Sequence, residues 1–408
     1  MTTDVERERP LGLYIHWPYC AAKCPYCDFN SYARQTVSEE RYLAAVLREI
    51  DHYAALTQGR PITSVFFGGG TPSLMTAATV GAILDHVAAR WSVAQGAEIT
   101  LEANPSSVEA SRFRGYRAAG VNRVSIGVQS LRDDALKFLG RLHDRAEAIA
   151  AIAVAGANFE RVSFDLIYAR PGQTPGAWRK ELDEALELAR GHLSLYQLTI
   201  EEGTAFFDLE RRGKLVIPSG DNAAVLYELT QQTCASAGLP AYEISNHAAP
   251  GQQSTHNLTY WRYGDYAGVG PGAHGRLRLR GQRFAVAAER DPAAWVDAVE
   301  RRGHGEADRQ TLKSSEQAVE MTLMGMRLAD GLDLAMLCRE TGYAIHSEAI
   351  ALLSRDGLLT LTQSGGFLAA TPRGMLILNR VVGHLSENLI LSDAARHAAG
   401  RSNAQIRV

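Results

Sequence analysis

The sequence has no excess of charge, little lysine, few cysteines and no long apolar run. Its 42 Lys+Arg against 45 Asp+Glu leave a net charge of −3 over 408 residues. That balance argues against a protein that coats a polyanion, so no nucleic-acid partner is expected. With no stretch of about eighteen uninterrupted apolar residues, no membrane span is expected either, and peripheral contact is the membrane association left open. The opening MTTDVERERP is charged and lacks the apolar core of a signal peptide, which points to a cytoplasmic protein. Five cysteines, three of them at Cys20, Cys24 and Cys27, make a poor disulfide framework and suit metal or cluster chemistry in a reducing compartment. Only five of the basic residues are lysine, which leaves many arginine forks for carboxylates or phosphates. What is present is ordinary for a folded soluble chain: 46% hydrophobic and 21% charged residues, with enough length for two to three domains and a core that needs no disulfide.

The first half alternates short β-rich runs with helical patterns. Strands are expected at Leu11–Trp17, Ile62–Phe67, Glu98–Glu102, Asn122–Gly127, Arg161–Ile167 and Leu193–Thr199. Helices are expected at about Ser38–Leu56, Ala77–Trp91, Val108–Ala119, Arg145–Gly156 and Pro175–Arg190. Six such units imply an α/β fold with a parallel sheet and right-handed crossovers, a partial six-unit (β/α) barrel or an open doubly wound sheet. Sites of such sheets lie at the C-terminal strand ends. The alternation breaks after Thr199. A helix at Asp221–Ala237 and a loop dense in Gly, His and aromatics (Ser245–Gly275) follow, then helical runs at Glu316–Leu328, Leu334–Thr341 and Ser347–Arg355 and two short strands around QSG. The expected division is a flexible start 1–10, the barrel 11–200, an extension 201–310, a smaller helical, winged-helix-like domain 311–385 and a tail 386–408. Winged helices often bind DNA, but this hairpin is not basic.

Directly after the first strand comes HWPYCAAKCPYC, a C-x3-C-x2-C array of soft thiolate ligands. Zinc with His16 as fourth ligand is one reading. A four-iron cluster held by three thiolates, with one iron open to a small molecule, is the other. After the second strand, GGGTPS (Gly68–Ser73) lets a ligand approach bare backbone; a tight turn into a helix started by Pro72 is the alternative. The spacing fits neither a P-loop nor a dinucleotide fingerprint.

CAAKCPYC, GGGTPS and LEANP together resemble the radical S-adenosylmethionine superfamily, and more narrowly the oxygen-independent coproporphyrinogen III dehydrogenase family with its heme chaperone subgroup, from about Leu11 to about Leu385. The resemblance implies that Cys20, Cys24 and Cys27 hold a 4Fe–4S cluster. It implies S-adenosylmethionine contacts at Tyr14, at Gly69, Gly70 and Thr71 with the methionine amine, at Glu102 with the ribose, and at Gln129, Arg141 and Asp165. The residue types agree: a zwitterionic sulfonium ligand wants anions for its hydroxyls and cation, and a cation for its carboxylate.

Two departures point to the heme chaperone subgroup. The dehydrogenases' fourth cysteine position is Phe29 here, and only about ten residues precede the first strand. HNLTYW (His256–Trp261) also resembles a subgroup motif implicated in heme binding, with His256 as axial ligand and Tyr260 and Trp261 against the porphyrin. An ordinary loop histidine beside core aromatics is the plain alternative. A third departure is Ala169–Arg170, where relatives usually show Gly–Leu. His274 sits where a dehydrogenase relative has an apolar residue near a second S-adenosylmethionine, which makes it a candidate second-site residue, with a satisfied loop histidine as the plainer reading. His16 and His143 read as satisfied loop histidines, and Cys234 and Cys338 as buried small hydrophobes. The expected function is heme binding and transfer to acceptor proteins, with an electron donor for the cluster. The alternative is an enzyme that oxidatively decarboxylates coproporphyrinogen III through a 5′-deoxyadenosyl radical, and Phe29 weighs against it. A zinc-bound structural or nucleic-acid module is a third class, disfavoured by the charge balance.

Overall fold

The computed structural model describes residues 8–33, 35–362, 366–392 and 395. The expected flexible start up to residue 7, the QSG turn and most of the expected tail lie outside the described residues. The chain divides into a larger unit (1–241, 245–257 and 264–310) and a smaller one (242–244, 258–263 and 311–408).

Six parallel strands form the larger unit's frame: β1 (Leu11–Trp17), β2 (Ile62–Gly69), β3 (Val93–Ala103), β4 (Arg123–Gln129), β5 (Arg161–Tyr168) and β6 (His192–Gln197), in that spatial order. Helices Glu39–Leu56, Ala77–Arg90, Arg145–Asn158 and Pro175–Leu188 lie among them in sequence. Each starts where a side chain satisfies an orphan amide: Ser38, Thr76, Asp144 and Thr174 cap the four in turn. Outward strand residues such as Leu13, Ile15, Val65, Phe67 and Leu101 are buried in one core with Val46, Ile50 and Ile83 of the helices. The opposite face of the same strands carries Tyr14, Phe66, Thr100 and Glu102, so the strand period of two points the polar set to one side.

The sheet extends beyond the expected six strands. β7 (Asn246–Ala248) adds antiparallel to β6, while β8 (Asp265–Val269) pairs parallel with β1, and β9 (His274–Leu279), β10 (Gln282–Ala288) and β11 (Glu306–Thr311) continue that edge. Parts of the stretch expected as a loop and extension therefore join the sheet. Buried charge holds it: Asp265 takes Arg60 at 2.8 Å and Arg283 at 2.9 Å. The expected helix at 108–119 is instead two short ones, Ser107–Ala110 and Phe113–Ala118. Arg112, at the break, donates to the carbonyls of Ser73 and Leu74.

In the smaller unit, helices Ser314–Gly325, Leu334–Thr341 and Ser347–Arg355 precede the hairpin Leu359–Leu361 and Phe367–Ala370, whose second strand pairs with Leu332–Asp333. This is a winged-helix-like arrangement, packed around Met321, Leu337, Leu353 and Leu385. No helix among the described residues is long and apolar enough to cross a membrane.

Candidate functional site

The cysteine loop begins where β1 ends. It closes on itself through Cys20 N donating to the Tyr32 carbonyl at 3.0 Å and Tyr32 N to that of Pro18 at 2.8 Å. A turn joins Cys27 N to the Cys24 carbonyl at 3.1 Å, and Ser31 Oγ lies 3.8 Å from Cys27 Sγ. All three thiols are free and half-buried. Burial pushes the Cys20 thiol up, and the like charges of Cys27 and Cys24 push it further, which places the three sulfurs within one another's field. Both ring nitrogens of His16 are in use: Nε2 donates to the Asn30 carbonyl at 2.9 Å and Nδ1 accepts from the Tyr14 hydroxyl at 3.0 Å. Burial holds this imidazole neutral, with its pKa near about 4. His16 so engaged does not complete a zinc set. The donor chemistry fits three thiolates on a cluster with one iron left open.

The glycine loop at the end of β2 lies against that cysteine loop. Gly70 N donates to the Trp17 carbonyl at 2.7 Å and Thr71 N to that of Tyr19 at 2.9 Å. Gly69 has φ +109°, and a Cβ at Gly70 would stand 2.6 Å from the Tyr19 carbonyl oxygen. Only glycine permits that approach. Gly70→Ala is expected to displace the loop and weaken S-adenosylmethionine binding at least about tenfold, equivalent to about 1.4 kcal/mol; equilibrium dialysis of the cluster-loaded protein checks it.

Charged groups from the next strands complete the cradle. Glu102 Oε2 accepts from Gly69 N at 3.2 Å. Arg141 donates to Asn104 Oδ1 at 2.6 Å, to the Gly127 carbonyl at 2.8 Å and to Cys24 Sγ at 3.3 Å. Asn104 Nδ2 in turn reaches Thr71 Oγ1 at 3.1 Å. Asn104 thus ties the glycine loop to the arginine, a link unread in the sequence although it stands two residues after Glu102. Gln129 ends β4 with φ 70°, beyond an irregularity in the ladder. A non-glycine residue in that region costs on the order of 1–3 kcal/mol and marks a constrained position. Two buried polar atoms here lack a partner, Arg141 Nε and Asp165 Oδ1. A cation and an anion held open together complement a ligand that carries both a carboxylate and hydroxyl or cationic groups, as S-adenosylmethionine does.

Both carboxylates are raised above the usual range. Burial first, then the charge of Asp165, lifts Glu102 to about 8. Burial lifts Asp165 to about 6, against the pull of Ser194 and Arg141. A raised acid binds more protons folded than unfolded between about 4.5 and about 8, so its contribution to stability falls as pH rises through that window. Glu102→Gln is therefore expected to raise Tm at pH 8 by roughly 2–4 °C and to leave it nearly unchanged at pH 5. Differential scanning calorimetry at the two pH values reads the difference.

His256 opens the helix Thr255–Trp261. Its Nδ1 lies 2.9 Å from Ser64 Oγ, its backbone N–H donates to Glu98 Oε1 at 3.0 Å, and its ring stacks on Phe66 at 5.1 Å and faces Tyr14 at 6.4 Å. Burial keeps it neutral, with its pKa near about 4. Tyr260 and Trp261, 5.0 Å apart at their ring centroids, count with the smaller unit, where Trp261 lines a cavity of about 740 Å³ with Tyr263, Met321, Met336 and Phe367. The indole Nε1 of Trp261 is buried there without a partner.

The remaining sequence candidates have settled positions. Ala169 adopts φ 57°, a left-handed conformation that glycine takes freely. Arg170 is buried on Glu181 and Ser130, so its charge is engaged away from Asp165. His274 is exposed at the start of β9. His143 Nε2 donates to the Val128 carbonyl at 3.0 Å. Cys234 is buried, while Cys338 is half-buried in the smaller unit. Phe29, in the place of the dehydrogenases' fourth cysteine, is 58% exposed and packs in no core.

This combination of a parallel partial barrel, a three-cysteine loop and a glycine loop is that of a radical S-adenosylmethionine protein. Residues 14–186 match the radical SAM superfamily and residues 312–377 the HemN C-terminal domain. The chain is 38% identical over 382 residues to the heme chaperone HemW of Escherichia coli (strain K12), covering 91% of this chain and 97% of the relative. It is 37% identical over 378 residues to that of Mycobacterium tuberculosis, at 92% and 94% coverage. It is 40% identical over 326 residues to the mitochondrial radical S-adenosyl methionine domain-containing protein 1 of Danio rerio, at 79% and 73%. The solved structure of coproporphyrinogen III oxidase (HemN) from Escherichia coli, a radical SAM enzyme, superposes with TM-score 0.77 at 22% identity, over 93% of this chain and 91% of that one, which shows the shared fold. The chain belongs to the HemW family of radical S-adenosylmethionine proteins. The family implies a 4Fe–4S cluster and S-adenosylmethionine.

Proposed function

We propose that this protein binds heme and passes it to acceptor proteins, with the cluster and S-adenosylmethionine governing structure or release rather than decarboxylation. The observation that carries this reading is the match along nearly the whole chain to relatives named as heme chaperones. In it Cys20, Cys24 and Cys27 hold the cluster. Tyr14, Gly69, Gly70, Thr71, Glu102, Gln129, Arg141 and Asp165 form the S-adenosylmethionine cradle, and HNLTYW serves heme.

The heme assignment has two supports. Trp261 belongs both to that segment and to the wall of a cavity whose volume falls in the range of cofactor pockets. Two methionines share the wall, and a thioether is a ligand that heme iron accepts. As axial ligand His256 would exchange its hydrogen bond to Ser64, beside Phe66, for the iron.

The test is anaerobic incubation of the reduced, cluster-loaded protein with S-adenosylmethionine and coproporphyrinogen III, beside a heme titration. No protoporphyrinogen IX above a protein-free control is expected, together with a Soret shift on heme addition that Trp261→Ala weakens. Turnover of coproporphyrinogen III would replace the chaperone reading with the enzymatic one.

A further inference from the structure

His52 lies near the end of helix Glu39–Leu56, while His304 and Glu306 stand at the entry to β11. Each offers one ligand atom, and the three atoms lie within 4.8 Å of one another. None of them belongs to the cysteine loop or the cradle.

The contacts among these groups cannot all be satisfied. His52 Nε2 is 3.0 Å from Glu306 Oε1 and 3.2 Å from Arg309 Nη2. Toward the carboxylate this nitrogen must carry the proton. Toward the guanidinium it must be bare. One nitrogen does not do both. Arg309 Nη2 also donates to Glu306 Oε1, at 2.6 Å, so a cationic nitrogen already sits beside both the carboxylate and the imidazole. The rings of His52 and His304 stack at 4.4 Å, and His304 Nδ1 is buried without a partner. Burial and the neighbouring His52 hold His304 below the usual imidazole range, so it offers a lone pair. Burial would raise Glu306, but His52 and Arg309 outweigh it and bring its pKa to about 2, so it stands as an anion.

The groups are also fixed in place beforehand. Glu49, one turn before His52 on the same helix, accepts from Gly305 N at 2.6 Å, from Gly270 N at 2.8 Å and from Trp295 Nε1 at 3.0 Å. Gly305 is the residue between His304 and Glu306. One buried carboxylate thus clamps the helix that carries His52 to the segment that carries the other two.

We propose that His52, His304 and Glu306 form a binding site for a divalent transition metal of the zinc type, which takes the position that the Arg309 guanidinium now fills. Two imidazoles and a carboxylate suit a borderline cation, with a fourth position left for water. A tetrahedral ion with bonds of about 2.0–2.1 Å wants ligand atoms roughly 3.3–3.4 Å apart; His52 Nε2 and Glu306 Oε1 open slightly from 3.0 Å to meet it, and all three atoms start within 4.8 Å of one another. Arg309, whose side chain is 29% exposed, has solvent to swing into.

The test is calorimetric titration of the anaerobic, cluster-loaded full chain with Zn²⁺, repeated with Co²⁺ for its ligand-field absorption. Saturable binding of one ion per chain is expected. His52→Ala and His304→Ala each weaken it at least about tenfold, the loss that even outer-shell changes bring. Arg309→Ala tightens it by removing the competing cation. The iron–sulfur absorption stays constant across the variants and reports their folding. Absence of saturable binding in the wild type overturns the proposal, even if Arg309→Ala binds, since the guanidinium then owns the position. Binding that ignores both histidine substitutions in folded protein also overturns it.

Discussion

Cys24→Ala is expected to abolish the iron–sulfur chromophore. Anaerobically reconstituted wild-type protein should show the broad absorption at about 400 nm that thiolate-held clusters give, and the variant should lose it. In the proposed assignment three thiolates hold the cluster, so each one is indispensable. Cys24 also lies 3.3 Å from the Arg141 guanidinium, so its loss removes a partner of the S-adenosylmethionine cradle as well. Cys20→Ala and Cys27→Ala should match it. Cys338→Ser, in the smaller unit, should leave the band intact. Iron and sulfide analysis beside the spectrum measures this. A colourless wild-type product holding one zinc would contradict the cluster assignment.

Glu98→Gln is expected to be the most destabilising single change near the heme segment. Glu98 is buried and pairs with Arg161 at 2.8 Å and Arg123 at 3.2 Å. Its other oxygen receives the His256 N–H and the Ser254 hydroxyl, at the start of helix Thr255–Trp261. A carboxylate there satisfies an amide that the helix leaves open. Burial would raise Glu98, but the two arginines hold it below the usual carboxylate range. Its stabilisation is therefore complete above about pH 4.5 and lost as pH falls. Removing one partner of a buried pair costs about 3–5 kcal/mol, because the charge that remains is uncompensated. Denaturant unfolding at pH 7 should show that loss. Heme affinity should fall with it, since the residues after His256 lose their anchor. A loss under about 1 kcal/mol would mean that the arginines find other partners.

The six parallel strands were legible because each is a compact run of β-branched and aromatic residues bounded by helical patterns, and their observed limits differ from the expected ones mostly by a residue or two. The edge from β8 to β10 was not. β8 lies in the stretch Ser245–Gly275, which reads as a loop because it is dense in Gly, His and aromatics, and β9 alternates arginine with apolar residues, as in RLRL. The arginine that counts, Arg283, is buried by pairing with Asp265, which also binds Arg60 from far along the chain. No local pattern reveals a charge neutralised at such sequence distance. The same holds in the site. Cysteines, glycines and acids sit in short contiguous motifs and could be read. The role of His16 as a link between Tyr14 and Asn30, and that of Asn104 between Thr71 and Arg141, depend on folding. The left-handed Gln129 and Ala169 likewise leave no trace in residue type.

Heme titration of the anaerobic, cluster-loaded protein, followed at the Soret band, tests the central claim most directly. The account predicts a shifted band that saturates at one heme per chain. Addition of heme without any saturable shift would contradict it.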